Sequence, residues 1–281
     1  MATCLYTYSA STRCVGEMKV LRLICCLLLV SQIPGIAAAQ TLRVAAAADL
    51  QPLFEELAAK FKNETGHTVE LTYGSSGNFF SQIQNGAPFD MFFSADVDYP
   101  TRLQASGLIE PGSLYRYATG KIVLWTLKDS PIDVKQGLQT LSDARVRKVS
   151  IANPEHAPYG RAAVAALRHE KVYDKLRDKL VLGENISQAA QFVESGNADV
   201  GILALSLALA APLKSAGAYF EIPPSFYPAI DQAVVILKSS RQKDLAQRFL
   251  SFLRQPKIAE FMRRNGLDAP QSLPRQQKAT R

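Results

Sequence analysis

The chain has 281 residues, 47 % of them hydrophobic and 20 % charged, with a formal net charge of +7. That apolar content supplies cores for two modest domains or one large one. The basic excess is dispersed, with only Arg263-Arg264 and the terminal RQQKATR standing out, so there is no basic stripe interleaved with aromatics and no nucleic-acid partner is expected.

Residues 1–39 read as an export signal rather than as fold. Lys19 and Arg22 precede an apolar run over 23–30, and Ala37-Ala38-Ala39 offers small residues to a signal peptidase. The stretch before Met18 has no targeting logic, which makes Met18 the expected natural start. The apolar run is far short of the roughly 20 residues that span a bilayer, so no membrane insertion is expected. All four cysteines, Cys4, Cys14, Cys25 and Cys26, lie before the cleavage point, leaving the exported protein without disulfides or thiolate metal sites. Arg22-Leu23-Ile24 lacks the small residue that precedes a lipoprotein cysteine.

Beyond residue 40, strand and helix signals alternate. Residues 42–46 read as a short buried strand. Leu50, Leu53, Phe54, Leu57, Ala58 and Phe61 then share one helical face, with Glu55, Glu56, Lys60 and Lys62 opposite, and Gly66 stops the helix. Val69, Leu71 and Tyr73 alternate as a strand. The turn GSSGN over 74–78 opens an amphipathic helix, an Asn-Gly-Ala-Pro break ends it, and 89–94 forms another apolar strand. This βαβ grammar predicts a mainly parallel sheet with helices on both faces. From Lys121 the pattern restarts with IVLWTL. A strand over 149–152, a helix over 160–169, the helix SQAAQFVES and a strand over 200–205 follow. The Pro-rich stretch 222–228 favours extended backbone and offers a crossing back to a β-rich run at 233–237. Helices over 243–253 and 256–264 bring no strand of their own and are expected to pack on the first half.

Four strand-to-helix junctions share one character: a strand ends, a few small or polar residues follow, and a helix starts at once. They are AAAADLQP at 45–52, GSSGN at 74–78, NPEHAPYGRA at 153–162 and GENISQ at 183–188. In open α/β sheets, ligands sit beyond the carboxyl ends of parallel strands. A helix start presents unpaired N–H groups and about half a positive charge, so neutral Ser75 and Ser76 can complete an anion socket without lysine or arginine.

The strings AAADL, GSSGN with QIQNGAPFDMFFSAD, NPEHAPYG, and GENISQAAQ followed by ADVGIL together resemble the periplasmic molybdate-binding proteins of ABC importers. The resemblance runs from about Thr41 to Asp268. It implies a type II periplasmic binding protein: an α/β chain in two lobes, joined by two crossover strands, with the ligand cleft between them. Lobe 1 is expected over 40–119 and 230–281, and lobe 2 over 120–229. By position it implies oxyanion contacts from Asp49, Ser76 and the backbones of Tyr159 and Ile186, with Ala48 and Ser75 as neighbours. Molybdenum would be held only as the oxyanion, molybdate or tungstate, with no cofactor. The implied partners are an ABC permease and its ATPase, the implied location is the periplasm, and the implied state is a monomer with no enzymatic activity. Two departures stand out: Ala48-Asp49 where many members carry a serine, threonine or asparagine donor, and Ala204 where some members carry a tyrosine.

Two roles are open to Asp49. It can cap the helix starting at Leu50, turned to that helix's own amides, or it can accept a proton from a protonated oxyanion such as phosphate. Phosphate or sulfate is therefore an alternative ligand. A hydrolase of phosphate or sulfate esters is a further alternative, but Ser75 and Ser76 have no base or orienting acid in a local motif. Arg161 is expected to face solvent. His67, His156 and His169 stand at no metal-ligand interval, with His156 placed to brace the Tyr159 loop, and Asp90 and Asp96 read as loop and capping residues.

Overall fold

Residues 39–270 are described by a computed structural model; the segment expected to be an export signal, but for its last residue, and the terminal RQQKATR fall outside them. The first run of elements is β1 (Thr41–Ala47), a 3-10 turn at Ala48–Leu50, α1 (Gln51–Thr65), β2 (Thr68–Gly74), α2 (Ser76–Gln84), β3 (Met91–Ser94), α3 (Asp98–Ala105) and β4 (Tyr115–Gly120). The second is β5 (Ile122–Leu127), a kinked 3-10 segment at Val134–Ser142, β6 (Val149–Ala152), α4 (Pro158–His169), α5 (Tyr173–Leu176), β7 (Leu180–Gly183), α6 (Ile186–Glu194), β8 (Val200–Ala204), α7 (Leu205–Ala208), α8 (Leu213–Ala216) and β9 (Gly217–Glu221). The chain then returns through β10 (Ile230–Ile236), α9 (Lys243–Leu253), α10 (Pro256–Arg264) and β11 (Leu267–Asp268).

These strands form two sheets, ordered β11-β4-β10-β3-β1-β2 and β7-β6-β8-β5-β9. The expectation of mainly parallel sheets is corrected: each sheet is mixed. In the first, β1 pairs parallel with β2 and β3, while β10 runs antiparallel between β3 and β4, and β11 antiparallel to β4. In the second, β6 is parallel to β7 and β8, and β5 is antiparallel to β8 and β9. The reason is topological. A strand that arrives from the other sheet has no crossover helix to reverse it, so it enters antiparallel.

Each sheet is covered by helices, as fully buried strands require. One face of the first sheet packs Phe54, Leu57 and Phe61 of α1 against Phe249 and Phe252 of α9 and Met262 of α10, with Phe61 edge-on to Phe249 at 5.1 Å between ring centres. The late helices thus return to the first half. The other face takes Phe79, Phe80 and Ile83 of α2 with Leu103 of α3. Trp125, fully buried on β5, centres the second sheet's core. β9 and the edge strand β7 have weak sequence signals, being short and half exposed, and β11 is only two residues long.

Candidate oxyanion site

Strand β1 ends in small, fully buried residues, and the chain leaves the sheet at Ala48 through the 3-10 turn. Three further junctions meet it. Ala48, Asp49, Ser75, Ser76, Tyr159 and Ile186, the six residues singled out in the sequence, all line one small cavity, with Ala47, Gly74, Ala95, Ala157, Pro158 and Asn185 completing the wall. The cavity leaves about 10 Å³ for the centre of a water-sized sphere. That is near the minimum that admits one small group, so a bulky organic solute is excluded unless the walls part. No lysine or arginine lines it, and Asp49 is its one ionisable carboxyl.

The free donors follow from how each helix begins. At α6, Asn185 caps the first turn by accepting from the N–H groups of Ser187 and Gln188, both at 3.0 Å. The amide of Ile186 finds no acceptor among the described residues, and Ile186 lines the cavity. At α4, Pro158 occupies the first position, where its missing N–H costs nothing, and Tyr159 supplies the first free amide. At α2, Ser76 Oγ accepts from the Ala95 amide at 3.0 Å. A hydroxyl has one hydrogen, so with an amide already donating to the oxygen, the Ser76 O–H remains free to donate.

Ser75 is differently engaged. Its Oγ lies 2.7 Å from the His156 carbonyl and 2.8 Å from His156 Nδ1. The carbonyl only accepts, so the Ser75 hydrogen goes there and His156 Nδ1–H donates to Oγ. Gly77 N–H also donates to the His156 carbonyl, at 2.9 Å. The brace expected of His156 therefore reaches the opposite wall of the cleft, tying α2 to the α4 loop. Glu184 extends the tie: its Oε1 accepts from Asn78 and its Oε2 lies 3.6 Å from His156 Nε2.

Two expectations are corrected. Asp49 is not a helix cap: it sits inside the 3-10 turn, and neither that turn nor α1 has a side-chain cap. Its carboxylate turns inward instead. Oδ2 accepts from the Tyr159 hydroxyl at 2.9 Å and from Gln232 Nε2 at 2.7 Å, while Oδ1 is buried with no partner. Burial pushes this carboxyl up from its ordinary 3.8 to about 6, against the lowering effect of the Gln232 and Tyr159 hydrogen bonds. Arg161 does not simply face solvent. It pairs with Asp96 and reaches the Tyr99 hydroxyl at 3.3 Å, bridging α4 to the first sheet's loops at the cleft rim.

Sequence reasoning passed over the support beneath Asp49. Tyr117 O–H donates to Gln232 Oε1 at 2.7 Å, and Gln232 Nε2 also contacts the Tyr159 oxygen at 3.0 Å. A register shift between Gln232 and Ala233 in the β10–β4 ladder aims that side chain at the site, as bulges do. One signal was available: Gln232 is a polar residue in the otherwise apolar end of IDQAVVI, and it is fully buried. Ser206 donates to the Asp49 carbonyl at 2.8 Å and Ser187 to the Ala48 carbonyl at 3.1 Å, holding the turn from the second sheet's side. Ala204, where some resembling proteins carry a tyrosine, is buried at the end of β8 and does not line the cavity. His67 is a buried acceptor for the Gln40 amide, and His169 stacks on Phe226 at 4.1 Å. Asp90 accepts from the Arg43 amide and from Ser240. Among the described residues no group of three His, Cys, Asp or Glu side chains could hold a metal ion, and no helix is long and apolar enough to cross a membrane.

Comparison with known proteins gives the family. Residues 42–268 match the family model described as bacterial extracellular solute-binding protein. The chain is 39 % identical over 230 residues to the molybdate-binding protein ModA of Rhodobacter capsulatus, covering 82 % of this chain and 89 % of that one. It is also 39 % identical to ModA of Azotobacter vinelandii, covering 82 % and 90 %. The solved structure of the Azotobacter vinelandii periplasmic molybdate-binding protein superposes with a TM-score of 0.77 at 38 % identity, over 82 % of this chain and all of that one.

Proposed function

Because the chain belongs to the bacterial extracellular solute-binding proteins, with the two-lobed type II periplasmic binding fold, we propose that it captures molybdate, or tungstate, in the periplasm and delivers it to an ABC import permease and ATPase. The observation that carries this is the convergence of four strand-to-helix junctions on one small cavity whose donors are neutral. Ser76 O–H and the amides of Tyr159 and Ile186 would contact the oxygens of the anion, with Ala48 and Asp49 at its first loop. Ser75 serves closure more than contact, its hydroxyl being spent on His156.

Uncharged groups suffice energetically. A submicromolar Kd needs more than about 8 kcal/mol. Hydrogen bonds to a charged ligand, at roughly 1.5–3 kcal/mol each, from Ser76, the Tyr159 and Ile186 amides and the first loop would supply that without a buried cation. Once the walls part to admit the anion, selectivity would follow from the spacing of the donors: smaller sulfate would leave them too far away to pair.

The moving units are residues 40–119 with the chain from 230 onward, and residues 120–229, hinged where the chain passes from β4 to β5 and from β9 to β10. An export signal over 1–39 would deliver the protein to the periplasm, where it acts as a monomer and without catalysis. Ser75, His156 and Glu184 resemble a hydrolytic triad in composition, but the Ser75 proton points to a carbonyl and Nδ1 is the donor, so His156 is no base for it.

Calorimetric titration with molybdate, tungstate, sulfate and phosphate tests the reading. Submicromolar binding of molybdate and tungstate, with sulfate and phosphate at least a hundredfold weaker, is expected. Phosphate displacing molybdate would end it.

A further inference from the structure

Asp49 is fully buried in the wall of a cavity otherwise built from neutral groups. One carboxylate oxygen is satisfied by Tyr159 and Gln232, and the other, Oδ1, is buried with no partner. An ionised carboxylate offers only acceptors, so an oxyanion seated against it would set lone pairs against lone pairs and charge against like charge. A proton on Oδ1 removes both conflicts at once, because it turns the orphaned acceptor into a donor of the same kind as Ser76. We propose that Asp49 enters the complex as a neutral carboxylic acid whose Oδ1–H donates to the bound oxyanion, so that capture of each dianion takes up one proton from solution.

The inference rests on the oxyanion reading of the cleft. One O–H bond forms on Asp49, none breaks in the ligand, and solvent supplies the proton. The surroundings favour this state. Burial already holds the carboxyl at about 6, and an adjacent dianion moves it further in the same direction. The phenols facing Asp49, Tyr159 from α4 and Tyr117 from β4, are pushed well above 10 by burial and stay neutral. On β10, Asp231 is 3.6 Å from Arg116. The α7 element contributes only the Ser206 hydroxyl, on the Asp49 carbonyl. On α1, Glu55 bonds Gln51 at the surface. Across the cavity, α2 offers Ser75 and Ser76, and the loops before α4 and α6 offer His156 and Glu184, which face each other. Beyond Tyr227, whose phenol is also raised, Lys121 is paired with Asp268 at 2.8 Å.

The sign is fixed by which form binds. Above about pH 6 free Asp49 is ionised and must gain a proton, so affinity falls as pH rises, approaching tenfold per unit above about pH 7. The test is calorimetric titration of the purified protein with molybdate from about pH 6 to 8.5, each point in two buffers of different ionisation enthalpy. Uptake of close to one proton per anion at about pH 8 is expected, with the Kd weakening in parallel. Asp49→Asn keeps an acceptor for Tyr159 and Gln232 and places an N–H where Oδ1 stood. It should bind molybdate with a flat pH profile, and more tightly than the unsubstituted protein at about pH 8. Tight binding with no proton uptake and a flat profile in the unsubstituted protein would overturn the proton on Asp49 and leave the oxyanion reading intact. A pH dependence that survives in Asp49→Asn and vanishes in His156→Gln would overturn it too, by placing the proton on His156. Failure of both the unsubstituted protein and Asp49→Asn to bind molybdate at any pH would instead overturn the oxyanion reading. Proton uptake by the unsubstituted protein decides the matter even if a variant does not fold.

Discussion

The donor role proposed for Ser76 rests on what already occupies its oxygen. The Ala95 amide donates to Oγ at 3.0 Å, which leaves the hydroxyl hydrogen free for an acceptor in the cavity. Ser76→Ala therefore removes that donor and leaves the Ala95 amide unpaired. Molybdate affinity should drop by about 1.5–3 kcal/mol, as a hydrogen bond to a charged group is worth. A titration in which Ser76→Ala binds as tightly as the parent would remove Ser76 from the site. Asp49 makes a second residue-scale prediction, on stability. Its carboxyl sits at about 6 in the folded protein against an ordinary 3.8, so between these values the folded state holds a proton that the unfolded chain has lost. Stability is therefore fully present below about pH 4 and declines as pH rises through about 6, by on the order of 3 kcal/mol at most. In urea melts Asp49→Asn should gain stability over the parent at about pH 8 and lose that advantage at about pH 4. A gain of equal size at both pH values would show that the buried charge is not its cause.

Among the elements, the four helix starts were legible in the sequence because turn residues and hydrophobic period are local, although only α6 carries a side-chain cap, from Asn185. The strand at 149–152 and the helices at 243–253 and 256–264 match β6 (Val149–Ala152), α9 and α10 (Lys243–Leu253 and Pro256–Arg264) residue for residue. β9 was not legible, since Gly217–Glu221 is half exposed and has no clean alternation, and its place at a sheet edge is set by pairing with β5. The close approach of α2 to the His156 loop depends on Gly77. A Cβ there would lie 2.6 Å from the His156 carbonyl oxygen and 2.8 Å from the Tyr99 hydroxyl. Those atoms belong to opposite sides of the cleft, and His156 lies across it from α2. Gly77→Ala should hold the lobes apart, weakening molybdate binding at least tenfold while the ligand-free melting temperature moves little. Unchanged affinity would show that closure does not bring Gly77 against His156.

For the whole molecule, closure is a sum of ties across the cleft: Gly77 and Ser75 with His156, Asn78 with Glu184, Arg161 with Asp96, and Ser206 and Tyr159 with Asp49. The exposed members of this set are individually weak, and Arg161→Ala should cost under about 1 kcal/mol of affinity because its ion pair is partly solvated. The ligand that fills the cavity makes the difference. Molybdate at about a thousand times its Kd should raise unfolding free energy by about 4 kcal/mol by mass action, with a matching rise in melting temperature. A melt insensitive to molybdate would contradict binding to the folded state. By itself the sequence determined the alternation of strands and helices, the junctions that meet at the cleft and the neutral character of their donors, because spacing, turn residues and caps act over a few positions. Only the tertiary structure decided that Asp49 turns inward, that Gln232 and Tyr117 support it, and that β10 enters its sheet antiparallel. Gln232 and Asp49 stand 183 residues apart and Tyr159 and Asp49 110 apart, and local pattern can mark Gln232 as a polar residue in an apolar strand without naming the partner it meets over such a separation.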